Sequence, residues 1–190
     1  MTHSEYNVKG LADDISGGLV PEAQKQLRAA IKSSPFSFED VAFRMGYANR
    51  SAISVCLVKE RLSIAEIVGI MTSIGLKTLS FDYPFPVRIS LEYDANDLDG
   101  ATSRLPALIA ALRESILIPG RRNTLVNKVS WETVAERTGL FADRRSARKS
   151  WFLYHTIISY ALPLLLVLGI TRHKVGVEGL SMLIEMEPPA

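Results

Sequence analysis

Apolar residues recur at helical spacing along the N-terminal half of the chain, and two segments show the pattern most clearly. In the segment 21–33 an apolar face follows Pro21, a residue that the first turn of a helix tolerates. Near residue 64, Ser63 and Glu66 have the spacing of a capping box, and Gly75 can close the helix that they start. The pattern therefore predicts one helix over 21–33 and another from residue 64 to Gly75.

Between these segments, the stretch 37–61 predicts two short helices joined by a tight turn. Ser37 and Asp40 provide a capping-box-like start, and Gly46 can adopt the positive φ that ends the first helix. Asn49 is a favourable N-cap for the second helix. That helix is expected to bury Ile53, Cys56 and Leu57. Its residues expected to face a DNA groove are Asn49, Arg50, Ser51, Ser54, Val58 and Lys59.

Three runs in this region carry a family signature: E-x-V-A-x-R-x-G at 39–46, N-R-S-A-I-S at 49–54 and IAEIVGIMTSIGL at 64–76. They resemble the phage-repressor (Cro-like, Xre-type) helix-turn-helix family over residues 21 to 77. The resemblance implies a DNA-binding helix pair whose second helix contacts bases. The turn before Ile53 is one residue longer than the family spacing. The alternative is a helix pair that only packs within a small domain.

Alternation with period two predicts two β-strands, one near the middle of the chain and one near its end. In the segment 87–93 the apolar residues alternate with Arg88, Ser90 and Glu92, and the segment 180–186 has the same alternation. The segment 94–102 is rich in Asp, Asn and Gly, which is typical of a linker.

The second half of the chain repeats the first, because SFEDVAFRMG at 37–46 matches SWETVAERTG at 130–139 at six of ten positions. At the same offset Ser63 falls on Thr156, a second potential N-cap, and the two predicted strands coincide. Two copies of such a unit tend to pair about a pseudo-twofold axis. We therefore predict a mainly α fold of two tandem helix-turn-helix units. Each unit is followed by one short β-strand, and the strands pair in a small antiparallel sheet.

The second copy differs in charge. Arg144, Arg145, Arg148 and Lys149 fall on one helical face, where they could bind successive phosphates. Arg121, Arg122 and Lys128 precede them on a predicted loop. A solvated basic face is the alternative. The turn after Gly139 is longer still, and no aliphatic residue stands where Ile53 does in the first copy. The residues of this copy therefore favour phosphate binding over base readout.

Composition sets the domain organisation: 190 residues that are 47% hydrophobic can bury one large core or two small ones. Residues 101–190 carry twelve Lys and Arg against seven Asp and Glu, net +5, which leaves net −3 for residues 1–100. The basic half is the better candidate for phosphate contact. We predict a flexible N-terminal arm over 1–18, a first repeat with its strand over 19–93, a linker over 94–102 and a second repeat with its strand over 103–190.

The segment 152–170 has no formal charge and is long enough to suggest a membrane span. Its alignment with the capped helix of the first copy favours instead a buried helix between the copies or between two chains. The single cysteine, Cys56, excludes a disulfide within the chain and fits a reducing cytoplasm.

Catalytic motifs are missing from the sequence: His3, His155 and His173 are scattered, and no HExxH, GxSxG or P-loop pattern occurs. We expect no enzyme activity, no cofactor and no metal site. The favoured function is a cytoplasmic, sequence-specific regulator that binds double-stranded DNA as a homodimer or as an intrachain pseudo-dimer. The alternatives are a module that binds a protein partner, such as an antiactivator or an antitoxin-like protein, and membrane association through 152–170.

Overall fold

A computed structural model describes residues 6–153 and 156–190. The chain is mainly helical and carries one four-stranded antiparallel sheet of order β1-β2-β4-β3. The described helices are α1 Leu11–Asp14, α2 Val20–Ser33, α3 Phe38–Arg44, α4 Ser51–Cys56, α5 Ile64–Ile74, α6 Leu98–Ser103, α7 Leu105–Glu114, α8 Trp131–Thr138, α9 Arg144–Leu153 and α10 Ile158–Val167. The strands are β1 Thr78–Phe81, β2 Val87–Tyr93, β3 Arg172–Val177 and β4 Leu180–Met186. A π-helical segment, Ile15–Leu19, joins α1 to α2, and Val126–Lys128 forms a 3-10 turn.

The order of elements is the same in the two halves of the chain. In the first half α2, α3, α4 and α5 precede the hairpin of β1 and β2, and in the second half α7, α8, α9 and α10 precede the hairpin of β3 and β4. A short additional helix stands before each set, namely α1 and α6. The sequence repeat therefore corresponds to a repeated order of secondary structure.

The pairing of β2 with β4 agrees with a pseudo-twofold axis. These two central strands, one from each half, run antiparallel with Val87 opposite Met186 and Tyr93 opposite Leu180. Ser90 lies opposite Leu183. The alignment that places SFEDVAFRMG on SWETVAERTG also makes Ser90 and Leu183 equivalent positions. An axis through this residue pair exchanges the two strands, as an isologous contact requires. The predicted antiparallel pairing of the two strands is confirmed.

The prediction of one strand per half is wrong, because each half contributes a hairpin. The strands that sequence analysis missed, β1 and β3, lie at the two edges of the sheet. Leu79 and Phe81 are the buried residues of β1, and Val175 is the buried residue of β3. Edge strands tolerate such short or polar sequences, since only one of their sides pairs with a neighbour. The four-residue β1 and the largely polar β3 therefore lack an apolar–polar alternation long enough to be recognised in the sequence.

Helices of one half also pack against helices of the other. Helix α10 of the second half packs against α1 and the π-helical segment of the first, and α6 packs against α5. Between Ser63 and Thr156 the backbones meet directly, since the Ile64 N–H donates to the Thr156 carbonyl at 2.9 Å. The Ile158 N–H donates to the Leu62 carbonyl at 2.9 Å. The halves thus share a core as well as a sheet.

These contacts correct two predicted segments. The arm predicted over 1–18 is wrong for residues 6–18, because Leu11 and Ile15 are buried in a helical segment; residues 1–5 lie outside the described part of the chain. The linker predicted over 94–102 contains the start of α6, which the Asp97 side chain caps by accepting the Gly100 N–H at 2.9 Å. In both segments the helix is stabilised by burial against the other half, which local composition does not show.

The apolar segment 152–170 is divided between α9 and α10. Helix α10 begins at Ile158, so the prediction that Thr156 caps it is wrong, and Thr156 instead adopts a φ of 59°. Helix α10 is ten residues long and almost wholly buried, which supports the interpretation of a helix between the halves. None of the helices in the described ranges has the length and apolarity that crossing a membrane requires.

Candidate nucleic-acid interface

The first helix pair, α3 and α4, starts with the predicted capping box. The Ser37 hydroxyl accepts the Asp40 N–H at 3.1 Å, and the Asp40 carboxylate accepts the Ser37 N–H at 2.7 Å. The Ser37 hydroxyl, which also donates to this carboxylate at 2.7 Å, and the Ser37 N–H lower the pKa of Asp40. Gly46 has a φ of 80° and turns the chain toward α4. The local sequence thus determines where α3 starts and ends.

Helix α4 is only six residues long, and its orientation is determined by side chains from α2. Its inward residues Ile53, Cys56 and Leu57 are buried, as predicted. The Gln24 side-chain amide donates to the carbonyls of Cys56 at 3.1 Å and Lys59 at 2.7 Å. The Arg28 guanidinium donates to the Leu57 carbonyl at 3.1 Å. Carbonyls at a helix C-terminus lack intrahelical donors, so these bonds hold α4 against α2.

Lys59, which was predicted to face outward, is partly exposed but held by a neighbouring carboxylate. Its ammonium forms an ion pair with the Glu66 carboxylate, which also accepts from the Cys56 thiol at 3.2 Å and caps α5 together with Ser63. Burial raises the pKa of Cys56 to about 12, so the thiol stays protonated and unreactive at neutral pH. Lys59 therefore belongs to the support of α4 rather than to its exposed face.

The exposed face of α4 is neutral, and the charged residue next to it is Arg50, which immediately precedes the helix. Arg50, Ser51 and Ser54 are exposed, as predicted. Asn49 is exposed too, and its side-chain oxygen accepts the Ser51 N–H at 3.1 Å, but the N-cap of α4 is Arg50, so the prediction that Asn49 caps this helix is wrong. Sequence analysis missed Val55, which is 56% exposed. Its position one helical turn after Ser51 was the available signal.

The second helix pair, α8 and α9, is built in the same way. The Ser130 hydroxyl accepts the Thr133 N–H at 3.0 Å, and Gly139 ends α8 with a φ of 65°. The Asp143 carboxylate accepts the Ser146 N–H at 2.7 Å at the start of α9, and hydrogen bonds to Ser146 lower the pKa of Asp143. A polar side chain that accepts a backbone N–H therefore precedes α9, as Asn49 precedes α4.

Helix α9 buries Ala147 and Trp151 and exposes a basic face. The Trp151 indole N–H donates to the Arg113 carbonyl at 3.0 Å, which anchors α9 to α7. The inward position corresponding to Ile53 is occupied by Ala147, so the expectation that no aliphatic residue stands there is wrong. A one-residue longer turn shifts the alignment and explains the discrepancy.

The four cations predicted on α9 are all exposed, and none of them forms an ion pair within 4 Å in the described ranges. They are Arg144, Arg145, Arg148 and Lys149. The Arg148 guanidinium lies 5.7 Å from the centroid of the Phe152 ring. An open groove of about 310 Å³ is lined by that ring and three of these cations. Unpaired cations on a rigid helix are suited to binding phosphates.

Arg121 and Arg122 lie on an insertion that the first half lacks. Residues 34–37 connect α2 to α3, whereas residues 115–130 connect α7 to α8. The Arg121 N–H donates to the Ile118 carbonyl at 2.9 Å, which forms a tight turn with both arginines exposed. Lys128 is exposed in the same loop. The structure thus confirms that these cations lie on a loop, and their position in it is separate from α9.

A serine and a histidine form a close pair that sequence analysis did not foresee. The Ser115 hydroxyl lies 2.7 Å from Nε2 of His173 and 2.6 Å from the Leu112 carbonyl. Because the carbonyl can only accept, the hydroxyl donates to it and Nε2 carries the proton directed at Ser115. In this arrangement the imidazole does not act as a base toward the hydroxyl. His3 and His155, the other histidines considered in the sequence, lie outside the described residues.

The half-buried imidazole of His173 makes stability depend on pH. Burial lowers the pKa of His173 from 6.5, so the unfolded chain takes up this proton before the folded chain does. We expect the free energy of unfolding contributed by this site to be complete above about pH 7 and to be lost as pH falls through the folded pKa. His173→Gln should reduce the difference between urea midpoints measured at about pH 7.5 and pH 5.5. An unchanged difference would contradict a stability role for this histidine.

Comparison of the chain with known protein families, with curated proteins and with solved structures found no match.

Proposed function

We propose that this chain is a sequence-specific DNA-binding transcriptional regulator of a bacterium, phage or mobile element. The proposal interprets α3 with α4, and α8 with α9, as two tandem helix-turn-helix units related to the phage-repressor type. In this interpretation α4 and α9 enter the major groove, and the regulator acts in the cytoplasm without a cofactor. No catalytic role is assigned, and the Ser115–His173 pair is structural.

The observation that carries the proposal is the unpaired basic face of α9. Four exposed cations on one short helix bind phosphates with release of condensed counterions, which is the main source of affinity for DNA. The face lies on the second helix of a helix pair, the element that contacts DNA in helix-turn-helix proteins. A purely solvated face would not be expected to coincide with that element.

The symmetry of the sheet supports a pseudo-dimer within one chain. The register of β2 with β4 relates the two central strands by an approximate twofold, and the proposal extends this relation to α4 and α9 as the two recognition helices of a dimer. A single chain would then cover two half-sites whose centres lie about 34–36 Å apart, one turn of the duplex. Because α4 is neutral and α9 is basic, the half-sites should be unequal.

Selection from random double-stranded DNA tests this proposal. We expect salt-dependent retention and an enriched sequence that is an imperfect inverted repeat. Footprinting combined with light scattering should find one chain on each site. A lack of salt-dependent retention would overturn DNA binding, whereas a strictly symmetric site occupied by two chains would replace the pseudo-dimer with a homodimer.

One observation favours a second candidate, a helix-turn-helix-like module that binds a protein. Phe43 on α3 and Val58 after α4 are large apolar side chains that are exposed by 56% and 68%. An antiactivator or antitoxin-like protein would use such side chains as contacts. This candidate predicts that the purified chain does not bind DNA at physiological salt.

A further inference from the structure

Two valines project from the exposed face of the first helix pair. Val55 is 56% exposed and Val58 is 68% exposed. Val55 lies one helical turn after Ser51 on α4, and Val58 lies in the turn that follows α4, where its N–H donates to the Val55 carbonyl at 3.2 Å. Isolated exposed valines are ordinary, but two on the face that the proposed function directs at DNA suggest a role in recognition.

Comparison of the two halves shows what is particular to this face. When the buried pair Ile53 and Leu57 is aligned with Ala147 and Trp151, Arg50 coincides with Arg144. By the same alignment Ser54 corresponds to Arg148, and Val55 to Lys149. The two helices thus share an arginine at their start, and α4 has neutral or apolar side chains where α9 has cations.

We propose that Val55 and Val58 recognise the C5-methyl groups of thymines in the half-site beneath α4. The inference rests on the proposed DNA-binding function. The thymine methyl is the apolar group that B-DNA presents in its major groove, and apolar side chains distinguish it by direct contact. Burying one methyl group against valine contributes to affinity, whereas burying a valine against cytosine does not satisfy the N4 donor of that base.

The support of α4 suits this kind of recognition. Methyl contacts have short range, so the helix must be held at a fixed position for them to discriminate between bases. Gln24 and Arg28 bind the C-terminal carbonyls of α4, and Glu66 holds Lys59 away from its exposed face. The long-range attraction to DNA comes from the cations of α9 in the other half. In this proposal α9 contributes most of the affinity for DNA, and α4 contributes the preference for particular bases.

The half-site beneath α4 can be assigned by cleavage from an iron chelate. Glu60 is exposed just after α4, so Glu60→Cys provides an attachment point. Cys56 is buried and its pKa is raised to about 12, so the introduced thiol is the one that reacts. Cleavage then marks the bases nearest to α4 on the DNA selected with the unmodified chain.

Replacement of thymine by deoxyuridine removes the methyl group and leaves the hydrogen-bonding groups unchanged. In the half-site beneath α4 we expect this replacement to weaken binding by about fourfold for each contacted methyl. The same replacement in the half-site beneath α9 should have little effect. Val55→Ala should weaken binding to thymine DNA by a similar factor and cause no further loss on deoxyuridine DNA.

Val177→Ala, at a half-buried valine of β3, is the matched control and should bind both DNAs as the unmodified chain does. Equal affinity for thymine and deoxyuridine DNA would overturn methyl recognition while leaving DNA binding intact. A loss from Val55→Ala that is the same on both DNAs would overturn it too. If selection from random DNA enriches no sequence, the proposed function fails together with this inference. Val55 and Val58 would then be assigned to contacts with a protein partner.

Discussion

Replacing Arg144 and Arg148 together with alanine is expected to weaken binding to every DNA sequence by a similar factor, on the order of a hundredfold. Both guanidinium groups are exposed on α9 and form no ion pair in the described part of the chain. If each binds one phosphate, the slope of log K against log salt should fall by about 1.8. Fluorescence anisotropy at several salt concentrations measures both quantities.

A second pair of cations provides the control for this variant. Arg172 and Lys174 are exposed on the edge strand β3, where they pair with Glu185 at 3.8 Å and Glu92 at 3.5 Å. Arg172→Ala with Lys174→Ala removes the same formal charge at a distance from the helix pairs in sequence. If this control lowers the salt slope as much as the α9 variant does, the effect is one of net charge and the basic face is only solvated.

Arg50→Ala provides a contrast within the same assay. Its position at the start of α4 corresponds to that of Arg144, but its neighbours on the helix are neutral. If Arg50 contacts a base edge, the substitution should weaken specific binding by about 1–3 kcal/mol and relax the preference at one position. An equal loss on random DNA would indicate a phosphate contact instead.

Elements whose ends depend on local hydrogen bonds were predictable from the sequence. The starts of α3 and α5 follow from Ser37 with Asp40 and from Ser63 with Glu66, since a capping box involves residues three positions apart. The strand β2 followed from an alternation seven residues long. These signals are contained in one short window, so no knowledge of the tertiary structure is required.

Elements that depend on the other half of the chain were not predictable in this way. Helix α1 is stabilised by packing against α10, and α6 by packing against α5. Their sequences are short and contain residues that are typical of loops, namely aspartate in α1 and aspartate, glycine and serine in α6. Partners distant in sequence supply the burial that makes these segments helical, and a single window does not show that burial.

The candidate interface likewise contains features that local sequence predicts and features that depend on tertiary contacts. The basic face of α9 was predictable because its four cations have helical spacing within six residues. The role of Lys59 was not predictable from the sequence. Its ammonium pairs with Glu66 because the turn between α4 and α5 brings the two side chains together. Prediction from helical spacing alone treats each cation as free, and tertiary ion pairs determine which of them are.

Ile89→Ala is expected to lower the free energy of unfolding of the whole chain by about 2–5 kcal/mol. Ile89 on β2 is buried opposite Ile184 on β4, so the substitution leaves a cavity at the junction of the two halves. For a domain of ordinary stability this loss is a large fraction of the total. Urea denaturation monitored by far-UV circular dichroism gives its size.

Tryptophan fluorescence then shows whether the halves unfold as one unit. Trp131 and Trp151 are the two tryptophans of the sequence, and both are buried in the second half. Leu27→Ala, at a buried position of α2 in the first half, should nevertheless shift the tryptophan transition to lower urea, because the shared sheet and the α1–α10 contact couple the halves. A tryptophan midpoint that stays unchanged while circular dichroism reports a separate, earlier transition would mean two independent domains. In that case the fixed spacing between α4 and α9 that a pseudo-dimer requires would be lost.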